Sequence, residues 1–241
     1  MIKNIKNIKN IKYMKLSFCT TCMNRIKYLK ETLPQNIKLI SKYNYELVLI
    51  NYDSKDDLHD YIINNYKEYI DNKIINYIKI ENKKFFDRFH AKNIAHKYST
   101  GDILINLDAD NFINEKLIST IIDYFTKDIN YVLQCGYNEG FIVISRDNFF
   151  KLGGYNEQMK NYGFEDTDLV FRAFYLLNLQ FIYLEEGLVN FIEQPDEIRF
   201  SNMENEVKTK LSEYNINIHK HYMNLKISNP NLYNNIEWGK I

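Results

Sequence analysis

Cysteine is scarce in this chain, with three in 241 residues, Cys19, Cys22 and Cys135. So odd and small a number excludes a disulfide-stapled secreted scaffold and suits a reducing compartment, so a cytoplasmic protein is expected. Cys19-Thr20-Thr21-Cys22 has the redox spacing C-x-x-C, but its flanks lack the usual small-residue or aromatic context, and buried or loop-lining thiols are the stronger reading. Zinc would need further Cys or His ligands at suitable spacing, and there are none. Net charge is also lacking: Lys+Arg and Asp+Glu are both 31. That balance argues against a general nucleic-acid or anionic-membrane binder, which needs a basic excess. No apolar run approaches the ~18 residues of a membrane span, and no signal peptide is visible. What the chain does have is 45% hydrophobic residues, enough for a globular protein of one large or two small domains. Its 20 Tyr and 15 Phe, with abundant Asn, Ile and Lys, match the codon bias of an AT-rich genome and are not by themselves binding platforms.

The chain is organised around 101–111, where the apolar run Ile103, Leu104, Ile105, Leu107 ends in Asp108 and Asp110. The run is short and rich in strand formers, so it reads as a buried strand. Side chains two apart on an extended chain share a side, so both carboxylates can point past the strand's carboxyl end. Ligands bind at that end in open α/β sheets, and paired carboxylates suit a hard divalent cation that also grips phosphate oxygens. An acidic turn is the plain alternative.

Before this stretch, 1–14 is a low-complexity Ile-Lys-Asn leader. Strands are expected at 16–20, 46–51 and 74–80. Helices follow at Ile26, Leu29 and Leu33, interrupted by Pro34; at Leu58, Ile62 and Tyr69; and, led into by the segment 85–93, as a short helix to Tyr98. This alternation predicts a mostly parallel sheet covered on both faces. Thr20, Arg25 and Asp53 fall at the strand ends on the same edge as Asp108 and Asp110, a pocket suited to a nucleotide. Beyond it come a helix through Phe125, strand-like 131–135 and 141–145, and the glycine-rich turn 152–157. Tyr162 to Asp168 then opens a helix. Three carboxylates in a first helical turn have an ordinary explanation as caps and dipole partners, and Asp168 is the best candidate for that role alone. In the tail, 203–222 reads as one or two helices, His219-Lys220-His221 as a solvated feature, and Trp238 as either docked or exposed.

Leu107-Asp108-Ala109-Asp110-Asn111 resembles the Asp-x-Asp motif of GT-A glycosyltransferases. Gly153-Gly154-Tyr155-Asn156-Glu157, followed by Tyr162-Gly163-Phe164-Glu165-Asp166-Thr167-Asp168-Leu169, resembles the C-terminal motif of galactosyltransferase-type enzymes. The animal β-1,4-galactosyltransferases carry a Trp-Gly-Gly-Glu-Asp version of it. Arg88-Phe89-His90-Ala91-Lys92-Asn93 resembles the segment preceding Asp-x-Asp in the same enzymes. The ordered set of three is specific, and it covers roughly 15–200.

The resemblance implies an α/β, GT-A (Rossmann-like) fold: a mostly parallel central sheet flanked by helices, with a small antiparallel element in the C-terminal half. It implies a nucleotide-binding half (15–111), an acceptor and catalytic half (112–200) and a C-terminal helical extension (201–241). The donor would be a UDP-sugar, the cofactor Mn2+ or Mg2+, and the acceptor a hydroxyl of a glycan or other molecule receiving a hexose or N-acetylhexosamine with inversion. Asp53 would lie near uracil, with Thr20 and Arg25 lining the nucleotide. Asp108 would touch ribose or metal, and Asp110 would bind the metal directly. Arg88 and Lys92 would approach the diphosphate or donor sugar. Glu165 would hold an acceptor hydroxyl, and Asp166 would be the base. Three features depart from the family. The His that usually completes the metal shell is missing from 186–194, where Glu193, Gln194 or water could substitute. The Trp before the acidic motif is also missing, leaving Tyr162 or Phe164 to stack on an acceptor sugar. The membrane anchor of eukaryotic members is absent. A sugar-nucleotide-binding protein without turnover is therefore the alternative, with a nucleotidyltransferase third.

Overall fold

The computed structural model describes residues 14–136, 138–160, 162–203, 208–228 and 238–241. The leader thus lies outside the described residues, except for Met14. The strands are β1 Leu16–Cys22, β2 Glu46–Tyr52, β3 Ile75–Ile80, β4 Ile103–Asn106, β5 Asn111–Phe112, β6 Tyr131–Cys135, β7 Asn138–Ser145, β8 Gln180–Leu184 and β9 Asn190–Phe191. The helices are α1 Ile26–Lys42, α2 Leu58–Asp71, α3 Arg88–Lys97, α4 Glu115–Lys127, α5 Arg146–Lys151, α6 Glu165–Leu177, α7 Asp196–Phe200 and α8 Lys208–Ser228.

Seven strands form one sheet in the order β3-β2-β1-β4-β7-β6-β8. Neighbours β3, β2, β1 and β4 pair in parallel, β7 runs antiparallel to both β4 and β6, and β6 pairs with β8 in parallel. β5 and β9 make a separate antiparallel pair. This is the mostly parallel, helix-flanked sheet that the alternation of strands and helices predicts, with the small antiparallel element that the resemblance implies. β2 and β4 are buried along their whole length, as expected of strands covered on both faces. On one face Leu29, Leu33, Ile37 and Ile40 of α1 pack with Leu58 and Ile62 of α2 and Leu117 and Ile121 of α4. On the other lie Ala91, Ile94 and Ala95 of α3, with Phe149 of α5 and Leu169 and Ala173 of α6.

Pro34 does not end its helix: α1 runs through it to Lys42. The buried residues on both sides of the proline hold the helix to the sheet, so tertiary packing overrides the lost backbone bond. Cys19 and Cys22 sit three apart on an extended strand and enter opposite core layers. Both are free thiols, and burial pushes Cys22 up to about 12 and Cys19 well above its usual range. Neither has the thiolate character that redox exchange needs.

The tail is more ordered into the core than its composition suggests. His219 is buried, not solvated, with Nδ1 2.7 Å from Asp168 Oδ1. Asp168 also accepts from the buried Arg172 Nε at 2.7 Å, so it does more than cap. Trp238 docks edge-on against Phe149 and Phe150. Among the described residues, no helix is long and apolar enough to cross a membrane.

Candidate active site

A cleft of about 400 Å³ opens at the carboxyl edge of β1 and β4, where α6 also begins. Asp108 and Asp110 follow β4 and both line it, though they do so from an acidic turn closed by the Asn111 N–H on the Asp108 carbonyl at 3.0 Å rather than by alternation along the strand. Asn106 Nδ2 donates to Asp108 Oδ1 at 3.1 Å and anchors the first carboxylate. Asp110 accepts from Gln194 Nε2, and Arg25 Nη1 donates to the oxygen of that same amide. Arg25 Nη2 donates to the Ile198 carbonyl. Arg25, Gln194 and Asp110 thus form one relay across the cleft mouth. Burial, and then the neighbouring Asp108, push the Asp110 carboxyl up to about 6.

The opposite wall comes from α6 and α3. Arg88 and Lys92 sit four apart on α3, one helical turn, so both reach the start of α6. Arg88 Nη1 donates to Glu165 Oε1 at 3.0 Å, and Lys92 Nζ donates to Glu165 Oε1 at 3.3 Å and to Asp166 Oδ1 at 2.9 Å. Asp166 is pushed up to about 7, first by burial and next by Glu165, while Lys92 partly opposes the rise. Burial disfavours charge on Glu165 too, yet Arg88 and Lys92 outweigh it and hold that carboxyl at about 2. Adjacent acids are thereby driven apart, one firmly ionised and one poised near neutrality. Phe164, just before α6, has a left-handed backbone, φ 73°, which is costly for a bulky residue.

The two walls meet at Gly140 on β7. A Cβ there would lie 2.9 Å from Asp108 Oδ2 and 3.6 Å from Asp166 Oδ2. Any side chain there would press on the Asp108 carboxylate and force it to shift. The earlier motifs also meet physically. Asn93 Nδ2 donates to the Tyr155 carbonyl at 2.9 Å and to Glu157 Oε1 at 2.8 Å, and Tyr155 N donates to Asn93 Oδ1 at 2.7 Å. A Cβ on Gly154 would come within 2.5 Å of Asn93 Oδ1, so the glycine pair permits the lock between α3 and this turn.

Arg25, Arg88, Lys92, Asp108, Asp110, Glu165 and Asp166 all line the one cleft. Thr20 and Asp53 do not line it. Thr20 Oγ1 donates to the Leu107 carbonyl at 2.8 Å and braces the chain before Asp108, while Thr21 faces the cleft instead. Asp53 ends β2 with φ 55° and accepts from Lys55 Nζ at 2.6 Å and Lys83 N at 2.7 Å. The Lys55 contact lowers its carboxyl below the usual range. Sequence reasoning missed Gly140, although a glycine interrupting a strand marks close approach. It also missed Arg199 and Asn202, cleft-lining residues whose neighbourhood carries no motif.

Among the described residues, no group of three or more His, Cys, Asp or Glu side chains is arranged to hold a metal ion. The donor set nonetheless fits a hard cation. Two carboxylates, with Asp110 the desolvated one, face one cleft with the Gln194 amide beside Asp110, and such ions commonly complete their shell with substrate oxygens and water.

The fold is that of the GT-A glycosyltransferases. GalNAc-T7, solved with UDP, GalNAc and Mn2+, superposes with a TM-score of 0.63 at 17% identity, over 76% of this chain and 44% of that one. The mannosyltransferase PcManGT from Pyrobaculum calidifontis, in complex with GDP-Man and Mn2+, gives 0.60 at 13%, over 76% and 61%. S. aureus TarS 1-349 gives 0.60 at 16%, over 90% and 73%. This chain therefore spans less than two thirds of the first two. The family model for glycosyl transferase family 2 matches residues 17–176, and the chain belongs to that family. A search of curated proteins returned no match.

Proposed function

We propose that this protein is a glycosyltransferase that moves a hexose or N-acetylhexosamine from a UDP-sugar to a hydroxyl of a glycan or other acceptor, with inversion. The galactosyltransferase-like acidic motif at 162–169 supports that subtype. The observation that carries the reading is the convergence of Asp108 and Asp166 on Gly140 from opposite walls of one cleft.

In this reading the donor diphosphate lies on the Asp108–Asp110 side, with Arg25 beside it, and the acceptor hydroxyl lies against Asp166. As the acceptor oxygen bonds to the anomeric carbon, the sugar–phosphate bond breaks and the electron pair leaves on the diphosphate. The hydroxyl proton passes to Asp166 Oδ2, the oxygen not engaged by Lys92. Lys92 fixes the carboxylate, and Glu165 with Arg88 fixes Lys92. Glu165, the firmly ionised acid, is available to orient an acceptor hydroxyl. Asp108, Asp110 and Gln194 would hold Mn2+ or Mg2+, with Gln194 in the place of the family's His. The cation, when bound, neutralises charge developing on the leaving diphosphate. Thr20 and Asp53 act at the nucleotide end by shaping the β1 and β2 strand ends. A nucleotide-sugar-binding protein without turnover is the second reading, favoured by the two-carboxylate cation site.

A donor screen with and without Mn2+, read by nucleoside diphosphate release, separates these readings. Release that needs Mn2+ and falls with Asp110→Ala supports transfer. Donor binding by calorimetry, with no release on any acceptor, supports the second reading.

A further inference from the structure

An aromatic row leaves the cleft along the outside of α6. Phe164 lines the cleft wall, and its ring meets His219 at 5.3 Å. His219 meets Phe171 at 5.7 Å, Phe171 stacks with Tyr175 at 5.7 Å and 29°, and Tyr175 meets Phe174 at 4.9 Å. Thr167, which lines the cleft, shares the helix face with Phe171, Phe174 and Tyr175 at spacings of four, seven and eight. The row therefore extends ~12 Å from the cleft mouth at 1.5 Å of rise per residue.

This face is unusual for a surface helix. Phe171, Phe174 and Tyr175 are 42%, 47% and 62% exposed, and the fourth exposed residue of this stretch is Asn178. The helix's charged residues, Glu165, Asp166, Asp168 and Arg172, face the cleft or the interior. An exposed helix face normally carries charge, and an exposed aromatic patch marks a binding surface. A row whose exposed rings, Phe171, Phe174 and Tyr175, carry no charge has little to attract an acidic or basic partner. Its faces suit the C–H surfaces of neutral pyranose rings, and its continuity with the cleft fixes where such a ligand begins.

We infer that this row is the acceptor track: a neutral oligosaccharide enters the cleft with its reacting hydroxyl at Asp166 and lays its following sugars over Phe171, Phe174 and Tyr175. The inference rests on the transferase reading and adds the acceptor class, a chain longer than a disaccharide.

The test is calorimetric titration of the full-length protein, with UDP and Mn2+ present, using maltohexaose, cellohexaose and chitohexaose and their disaccharides. At least one hexasaccharide should bind about tenfold more tightly than its disaccharide, the worth of one or two ring contacts. The double variant Phe174→Ser/Tyr175→Ser should bring that hexasaccharide to the disaccharide level. Tyr98→Ser, which alters an exposed aromatic just after α3, should not, and thermal melts report whether each variant folds. Chain-length-independent binding, no binding in the panel, or a length effect that survives the double variant would overturn the track. So would a dimer in light scattering that the double variant converts to monomer, since the row would then be a self-association face. UDP binding by the wild-type protein is scored separately: its absence sinks the transferase reading, whereas its presence without a length effect sinks only the track.

Discussion

At Asp166, burial and charge act in opposition, and the outcome sets a pH dependence. With its carboxyl at about 7, the group is half ionised near neutrality, where a general base works best. Transfer, measured as kcat/KM, should rise with pH through about 7 and level off above it. Stability runs the other way. The folded state holds this proton more tightly than the unfolded chain, whose aspartates ionise near 3.8. The stability contributed by the raised carboxyl is thus present at acid pH and lost as pH climbs through about 7. Asp166→Asn should remove the acidic limb and reduce kcat by about 10²- to 10⁴-fold, the usual worth of a positioned base. It should melt no lower than wild type near pH 8. An unchanged kcat would remove the residue from the mechanism. Gly140→Ala tests the junction of the walls. Its methyl must displace Asp108, so Mn2+ affinity, read by electron paramagnetic resonance, should fall about tenfold (about 1.4 kcal/mol) while the fold persists.

At the scale of elements, α1 carries a proline that its packing tolerates at a cost. Replacing it removes a helix-interior penalty of about 3 kcal/mol at most, so Pro34→Ala should raise the thermal midpoint, with a gain of about 1–3 kcal/mol by urea denaturation. A lower midpoint would mean that the proline ring packs better than it disrupts. Elements also show what could be read in advance. Arg88 with Lys92 and Asp108 with Asp110 are pairs close in sequence, and short spacing keeps each together, although α3 begins earlier than the residues suggest and the aspartates sit in the turn after β4 rather than on the strand. Gly140 touches Asp108 across two strands and His219 meets Asp168 from 51 residues away. Such contacts depend on strand order and helix docking, which local pattern does not encode. The six-residue α5 was illegible for the reverse reason, being too short to display a period. Thr20 shows a third limit. The strand runs two residues past the expected end, to Cys22, and pleat alternation turns Thr21 to the cleft and Thr20 to the Leu107 carbonyl.

Across the whole molecule, one sheet carries both the strands before Asp108 and those leading to the acidic helix, and α3 seals the seam. His96 of α3 lies there, stacked on Phe149 at 4.6 Å and 18°, with Nδ1 donating to the Lys92 carbonyl at 2.7 Å. Burial drives its pKa down to about 3, against 6.5 in an unfolded chain. The folded state refuses a proton that the unfolded state accepts, so stability falls as pH drops from 6.5 toward 3. His96→Phe should flatten that slope and move the acid-unfolding midpoint to lower pH, measured by circular dichroism. An unaltered acid midpoint would show that other groups govern acid unfolding.

Because β7 runs against its neighbours, its beginning rather than its end borders the cleft, and the β6–β7 hairpin hangs beside Asp108 and Asp166. Asn138 and Glu139, at the start of β7, form part of the rim. A single reversed strand therefore gives the scaffold a detachable lip: a graft at this hairpin reshapes what is admitted, while the four parallel strands beneath Asp108 keep their register.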